Sequence, residues 1–329
     1  MSMIFGNDKS SLERDFPCEL CGRRDYTVVW DKTEREKLGI LRSKVLRANK
    51  LIVNGQIVVC NHCGLVYTNP RLPHFEMEKV YEQEYRDTYE FQVEAEIRHA
   101  NTAYGIIQKH IDMEALKADE NGKVRFLEVG ASTGRFTTLV KHVFGDKAEA
   151  IGIEPDKRAA DKGQEVNSTI PNAPAIDIVT TTIENYKSEE KFDFVVMLNT
   201  LEHMSSPVEA LKHIHELMDS NSRLLISVPN MINSLITIPM DAWFSNAHFF
   251  HFSPHTLTAL LTKAGFKAVE MIGLAEEVGE KMYVVCEPME AQEVIIDKKP
   301  NISLIRQLFL FTDGVAETKM RLMGGEYYK

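Results

Sequence analysis

The sequence predicts an α/β protein, with a mostly parallel sheet covered by helices on both faces and a small cysteine-bearing module in front of it. Three observations carry this. Residues 124–134 read Val-Arg-Phe-Leu-Glu-Val-Gly-Ala-Ser-Thr-Gly, an apolar run that ends in an acid and a glycine turn. Residues 122–287 alternate apolar runs of strand length with segments of helical period, which is how parallel strands joined by crossover helices read in a sequence. Four of the five cysteines fall into two Cys-x-x-Cys-Gly pairs, Cys18/Cys21 and Cys60/Cys63.

The cysteine module comes first, over residues 1–72. Each pair can form a knuckle, with two thiolates turned toward one metal and a glycine permitting the turn. Two knuckles make a four-thiolate tetrahedral site, which suits structural Zn2+ and leaves no position open for water. Disulfides are the alternative, and the absence of a secretion signal argues against them. The 38 residues between Cys21 and Cys60 predict a strand (Tyr26–Trp30), a helix over about 32–48 and a hairpin turned at Asn54-Gly55. Arg35, Lys37, Arg42, Lys44, Arg47 and Lys50 gather mostly on that helix and read as a solvated face. His62 is expected at the surface, and Cys286, in a terminal strand, buried and inert.

Residues 73–120 predict two helices. Phe91, Ala95, Ile97, Ala100, Ala103, Tyr104, Ile107 and Ile111 give the second an apolar face. Tyr81, Tyr85 and Tyr89, spaced by four, read as packing on the first.

The segment 124–134 predicts a buried strand and a tight turn, and Phe136, Leu139, Val140 and Val143 then continue it as a helix. Small residues let the backbone approach a ligand there, and the free amides of the helix start point at it. A second strand, Ala150–Ile153, ends in Glu154, twenty residues past Gly134. That is where nucleotide-binding folds put the acceptor for ribose hydroxyls. The dinucleotide fingerprint Gly-x-Gly-x-x-Gly is not met, because Ser132 and Arg135 stand at two of its glycine positions. Gly130-x-Ser132-x-Gly134 matches a hydrolase nucleophile elbow in form. An elbow, however, follows several strands, whereas this turn follows the first of its sheet, and an elbow gives Glu128 and Glu154 no role.

The remaining pattern, acid-x-Gly-x-x-x-Gly with a second acid ending the next strand, resembles the S-adenosylmethionine site of class I methyltransferases, whose sheet is Rossmann-like. The resemblance continues downstream. Residues 191–204 (Lys-Phe-Asp-Phe-Val-Val-Met-Leu-Asn-Thr-Leu-Glu-His-Met) look like the fourth strand and loop of the Leu-Glu-His group of these enzymes. Residues 211–218 and 223–230 look like the next helix and strand, and residues 251–266 like the last helix before a terminal strand pair.

This resemblance implies roles. Glu154 would accept the ribose hydroxyls, and Gly130, Ser132 and Gly134 would meet the amino-acid end of the cofactor. Glu128 would orient the loop or approach the ammonium, and Asn199 would lie near the methionine part. Thr182 stands where the family commonly has an acid for adenine, so Thr182 or the backbone near Ile183 is left to make that contact. Residues 73–120 would form a lid. The cysteine module followed by Gly64-Leu-Val-Tyr-Thr-Asn-Pro-Arg71 resembles an arrangement on bacterial methyltransferases of sugars, surface-polysaccharide precursors and natural products.

The acceptor pocket is expected in the aromatic and histidine-rich segment 229–252, at the carboxyl edge of the sheet. His203, in the Leu-Glu-His loop, is a candidate base for a hydroxyl acceptor, with His248 and His251 as rivals. Glu202 reads as structural, and the sequence presents no acidic triad for catalytic magnesium. The tail, 289–329, carries an apolar pattern over about 303–322 that would cap the fold or form a homodimer contact.

Charge bears on partners. The net charge is −10, distributed as +4 over residues 1–72 and −14 over the rest. A body this acidic disfavours nucleic acid, and no Asn/Asp-Pro-Pro-Tyr motif is present. RNA methylation, with the cysteine module as the grip, is therefore the second reading. A small acceptor, sugar- or nucleotide-linked, is the first. No apolar run approaches the ~20 residues that cross a bilayer, and the start lacks a signal peptide's pattern, so the expected location is cytoplasmic. The expected domains are 1–72, 73–120, 121–288 and 289–329.

Overall fold

The computed structural model describes residues 14–37, 55–73, 92–110, 123–169, 173–231, 243–244, 248–273 and 281–294. Most of the predicted helix 32–48, the tyrosines 81, 85 and 89, Asn246 and the helical tail pattern 303–322 lie outside these residues.

The larger sheet is built from β4 (Val124–Val129), β5 (Ala148–Ile153), β6 (Asp177–Val179), β7 (Phe192–Leu198), β8 (Met218–Pro229), β10 (Phe266–Ile272) and β11 (Lys281–Pro288). Among the described residues its order is β6-β5-β4-β7-β8-β11-β10. The first five strands of that order run parallel, and β11 enters antiparallel between β8 and β10. Crossover helices α3 (Arg135–Phe144), α4 (Lys157–Ser168) and α5 (Pro207–Glu216) connect the parallel strands. The chain order reverses between β4 and β7, so a crevice opens there at the strands' carboxyl ends.

Both faces of this sheet are covered, which explains why its strands read as near-continuous apolar runs. Leu127 and Val129 of β4 point to one apolar cluster, and Phe126 points to the other. On the second face Phe126 stacks on Phe194, with ring centroids 5.0 Å apart. Helix α2 (Val93–His110) brings Ala100, Ala103, Ile106 and Ile107 onto the same face. Helix α6 (Pro254–Ala264) covers the other, and a reciprocal pair of hydrogen bonds between Ser253 and Thr256 caps its start.

The N-terminal sheet contains β1 (Tyr26–Asp31), β2 (Gln56–Cys60) and β3 (Val66–Thr68), with the short helix α1 (Lys32–Lys37) after β1. Its fourth strand, β9 (Phe250–His251), comes from the far end of the chain and pairs with β3. Arg71 locks the junction. Its buried guanidinium donates to the carbonyl of Ser205 at 3.0 Å and lies over the rings of Phe16 and Phe250. Lys263 of α6 donates to the carbonyls of Glu19 and Leu20 inside the first knuckle. Cys18, Leu20, Cys60 and Cys63 share one apolar cluster with Leu257, Leu260 and Leu261. No helix among the described residues is long and apolar enough to cross a membrane.

Candidate functional site

The loop after β4 is held from several directions. Glu128 is buried, and its carboxylate accepts the amide of Thr137 at 2.9 Å and the hydroxyl of Thr137 at 2.7 Å. It therefore ties the strand's end to the first turn of α3. Burial pushes its carboxyl up to about 7, opposed by the two bonds from Thr137. The amides of Gly130 and Ala131 donate to the carbonyl of Ile153, at 2.9 and 3.0 Å. Gly130, Ser132 and Gly134 all have left-handed backbone, with φ of 71°, 48° and 67°. A side chain at Gly130 would put its Cβ 2.5 Å from the side chain of Thr200. Gly130→Ala combines that overlap with backbone strain and is expected to lose about 1–3 kcal/mol of stability. A chemical denaturation midpoint equal to that of the unaltered protein would contradict this.

Glu154 ends β5 facing this loop and is 8% exposed. One carboxylate oxygen accepts the amide of Ser132 at 2.9 Å, and the other accepts the amide of Asp156 at 3.0 Å. These bonds fix the carboxylate's plane. The structure thus brings Glu128, Gly130, Ser132, Gly134 and Glu154 together at the crevice. Ile183 is buried in the core, while Thr182 is half-buried and its hydroxyl accepts from Asn185. Asn199, at the end of β7, also has left-handed backbone (φ 51°), and its amide donates to the carbonyl of Ser227.

Two residues here, Glu96 and His99, were missed by sequence reasoning. Glu96 of α2 accepts the hydroxyls of Ser132, at 3.0 Å, and Thr133. His99 of the same helix lies 3.5 Å from Asn199 Nδ2 and 2.6 Å from Lys281 Nζ, through Nδ1 and Nε2 respectively. Burial, then the charges of Lys281 and Arg98, push the His99 imidazole down to about 4, so it stays neutral and accepts from the lysine. A polar residue every third position on an otherwise apolar helix face was the available signal.

The three histidines divide. The turn Leu201–His203 presents Glu202 and His203, and the amide of Phe249 donates to the carbonyl of Glu202 at 2.8 Å. That bond draws the 248–251 segment onto the turn. His203 and His248 meet edge to face, with centroids 4.6 Å apart. His251 lies deeper, its ring 6.3 Å from that of His248 and packed against Trp243 and Phe244. It is 2% exposed, its ring lies 4.8 Å from that of Phe244, and burial pushes it down to about 3. Glu202 is 1% exposed, and burial raises its carboxyl to about 8, partly offset by its own backbone amide and by the charge of Lys281.

At the N-terminal sheet, Cys18 and Cys63 have sulfurs 3.5 Å apart, as do Cys21 and Cys60. All four sulfurs lie within 4.8 Å of one another. Four sulfurs each ~2.3 Å from one tetrahedral centre would be about 3.8 Å apart, so the cluster has the size of a metal site. The amides of Gly22 and Gly64 donate to the carbonyls of Cys18 and Cys60, closing two equivalent knuckles.

Residues 94–271, more than half of the chain, match the family model described as a methyltransferase domain. A carboxy-S-adenosyl-L-methionine synthase from Trichodesmium erythraeum (strain IMS101) is 32% identical over 85 residues, which are 26% of this chain and 33% of that protein. The chain thus spans about a third of that curated relative. Among solved structures, a 1,6-didemethyltoxoflavin-N1-methyltransferase from Burkholderia thailandensis aligns with a TM-score of 0.49 and 16% identity, over 69% of this chain and 96% of that one. A magnesium protoporphyrin IX methyltransferase from Synechocystis PCC 6803 aligns at 0.48 and 14%, over 66% and 100%. On the match over residues 94–271, the chain belongs to the methyltransferase-domain family.

Proposed function

We propose that this protein is an S-adenosylmethionine-dependent methyltransferase acting on a small-molecule hydroxyl, sugar-linked or nucleotide-linked, with a structural zinc ion at Cys18, Cys21, Cys60 and Cys63. The observation that carries the reading is the cradle at the carboxyl ends of β4 and β5, where left-handed backbone at residues 130, 132 and 134 faces an oriented carboxylate. The cradle fits the donor. Glu154 accepts the two ribose hydroxyls. The loop, with no side chain at Gly130, leaves room for the amino-acid end, and Glu128 keeps the loop in place. Thr182, or the backbone beside Ile183, meets adenine. Asn199 and its neighbour His99 border the methionine part.

The bound donor would supply an electrophilic methyl group on a sulfonium. The chain's share is to align the acceptor oxygen with it, exclude water and take up the acceptor's proton. His203 and His248 belong to that task, because they meet at the carboxyl edge above Glu202. His251, enclosed by Trp243 and Phe244, serves better as a packing residue of β9.

Glu154→Ala tests the cradle. Hydrogen bonds to a charged acceptor contribute roughly 1.5–3 kcal/mol, so donor affinity is expected to fall about ten- to hundredfold by calorimetry. An unchanged affinity would remove Glu154 from the site.

A further inference from the structure

We propose that Glu202, His203 and His248 bind a divalent first-row transition-metal cation at the acceptor end of the crevice. The assignment rests on the reading of that crevice as an acceptor pocket, but cation binding can be measured with neither donor nor acceptor present.

One carboxylate oxygen and two imidazole nitrogens converge there. Glu202 Oε1 lies 3.9 Å from His203 Nε2 and 4.0 Å from His248 Nε2, and the ligand atoms all fall within 4.8 Å of one another. These distances are too long for hydrogen bonds. They suit groups that share an ion, since ligands each ~2.0–2.2 Å from a metal sit roughly 3–4 Å apart. The rings meet edge to face at 78°, so they do not stack in a way that would consume the space between them.

The second observation is Glu202 itself. It is 1% exposed, and neither of its carboxylate oxygens has a hydrogen-bond partner on another described residue. A buried carboxylate without a partner is costly unless a cation compensates it. Lys281 is the charge nearby and favours the ionised form of Glu202, but its ammonium also donates to His99 Nε2 at 2.6 Å. Both loops are also anchored, because the Phe249 amide bonds the carbonyl of Glu202 and β9 pairs with β3. The three ligands are therefore held by backbone rather than by one another.

Two imidazoles and one carboxylate favour manganese, iron(II), cobalt or zinc over magnesium. Three protein ligands leave positions for solvent and for an acceptor hydroxyl. A hydroxyl held on the cation loses its proton more readily: the O–H bond breaks, its electron pair stays on oxygen and the proton goes to solvent. His203 and His248 would then act by holding the cation rather than as free bases.

The test is a Co2+ titration of the full-length protein with its cysteine site already filled, followed by visible absorption and equilibrium dialysis. One further equivalent is expected to bind. Glu202→Gln and His248→Gln should each weaken it more than about 100-fold, beyond what loss of an outer-shell group costs. Circular dichroism identifies a variant that has lost its fold, and the other variant then decides. No second equivalent in the unaltered protein, or equal binding in a folded variant, would overturn the site. Donor affinity measured on the same samples separates the two readings. Cation uptake without donor binding would uphold this site and sink the enzyme assignment, and donor binding without cation uptake would do the reverse.

Discussion

Loss of the metal from Cys18, Cys21, Cys60 and Cys63 is expected to unfold the N-terminal sheet and to lower the stability of the larger domain with it. Binding at four-thiolate zinc sites is coupled to folding and is worth roughly 10–16 kcal/mol in small modules. Here little else could replace it. The described strands of that sheet are short, and each knuckle closes through two backbone bonds, Gly22 to Cys18 and Cys18 to Arg23 in one, Gly64 to Cys60 and Cys60 to Leu65 in the other. The damage should spread, because the cysteines lie in one apolar cluster with α6 and because Arg71 and Lys263 bond across the junction. Cys60→Ser isolates this effect from any cation elsewhere. It should bring a fall in the thermal midpoint, loss of one equivalent of zinc by metal analysis and faster proteolysis. A variant that lacks the zinc yet melts with the unaltered protein would show that the cluster is not structural.

The second large effect is expected at His203. His203→Ala should lower the methyl-transfer rate by roughly 10²–10⁴, while donor affinity stays nearly intact; a loss of that size is expected whether His203 takes the proton itself or holds the cation that eases its release. The separation follows from the geometry, since His203 meets Glu202 and His248 on the turn after β7, whereas Glu154 follows β5 and bonds the amide of Ser132. The assay is transfer of labelled methyl to nucleotide sugars, with calorimetry of the donor alongside. A normal rate would clear His203. An equal loss in donor affinity would mean that the turn 201–203 supports the cradle instead. His251→Ala serves as the contrast, because its ring is walled in by Phe244 and Trp243 and it should act on stability before rate.

Much of this was legible in the sequence because the relevant signals are local. The strand, turn and helix at 124–144 and the acid at 154 lie within one short stretch, where apolar period and glycine placement suffice. The two cysteine pairs were legible for the same reason. What stayed hidden depends on contacts between distant segments. Nothing near residue 250 marks two residues as a strand, since their partner β3 lies about 180 positions earlier. Glu96 and His99 read as ordinary polar positions on a helix until that helix lies across the cradle. Glu202 reads as structural because its burial without a hydrogen-bonding partner appears only once the 248–251 segment folds over it.

The pairing of β9 with β3 makes the cysteine module a poor candidate for a detachable cassette. A truncated chain beginning near residue 92 would uncover the backbone donors and acceptors of Phe250 and His251, and with them Leu257, Leu260 and Leu261. An open apolar edge of this kind recruits other strands. The shortened protein would therefore trade an intramolecular partner for copies of itself, and aggregation rather than mere loss of activity would be its signature. By the same logic the 248–251 segment, and with it His248 beside Glu202, inherits its position from the N-terminal sheet.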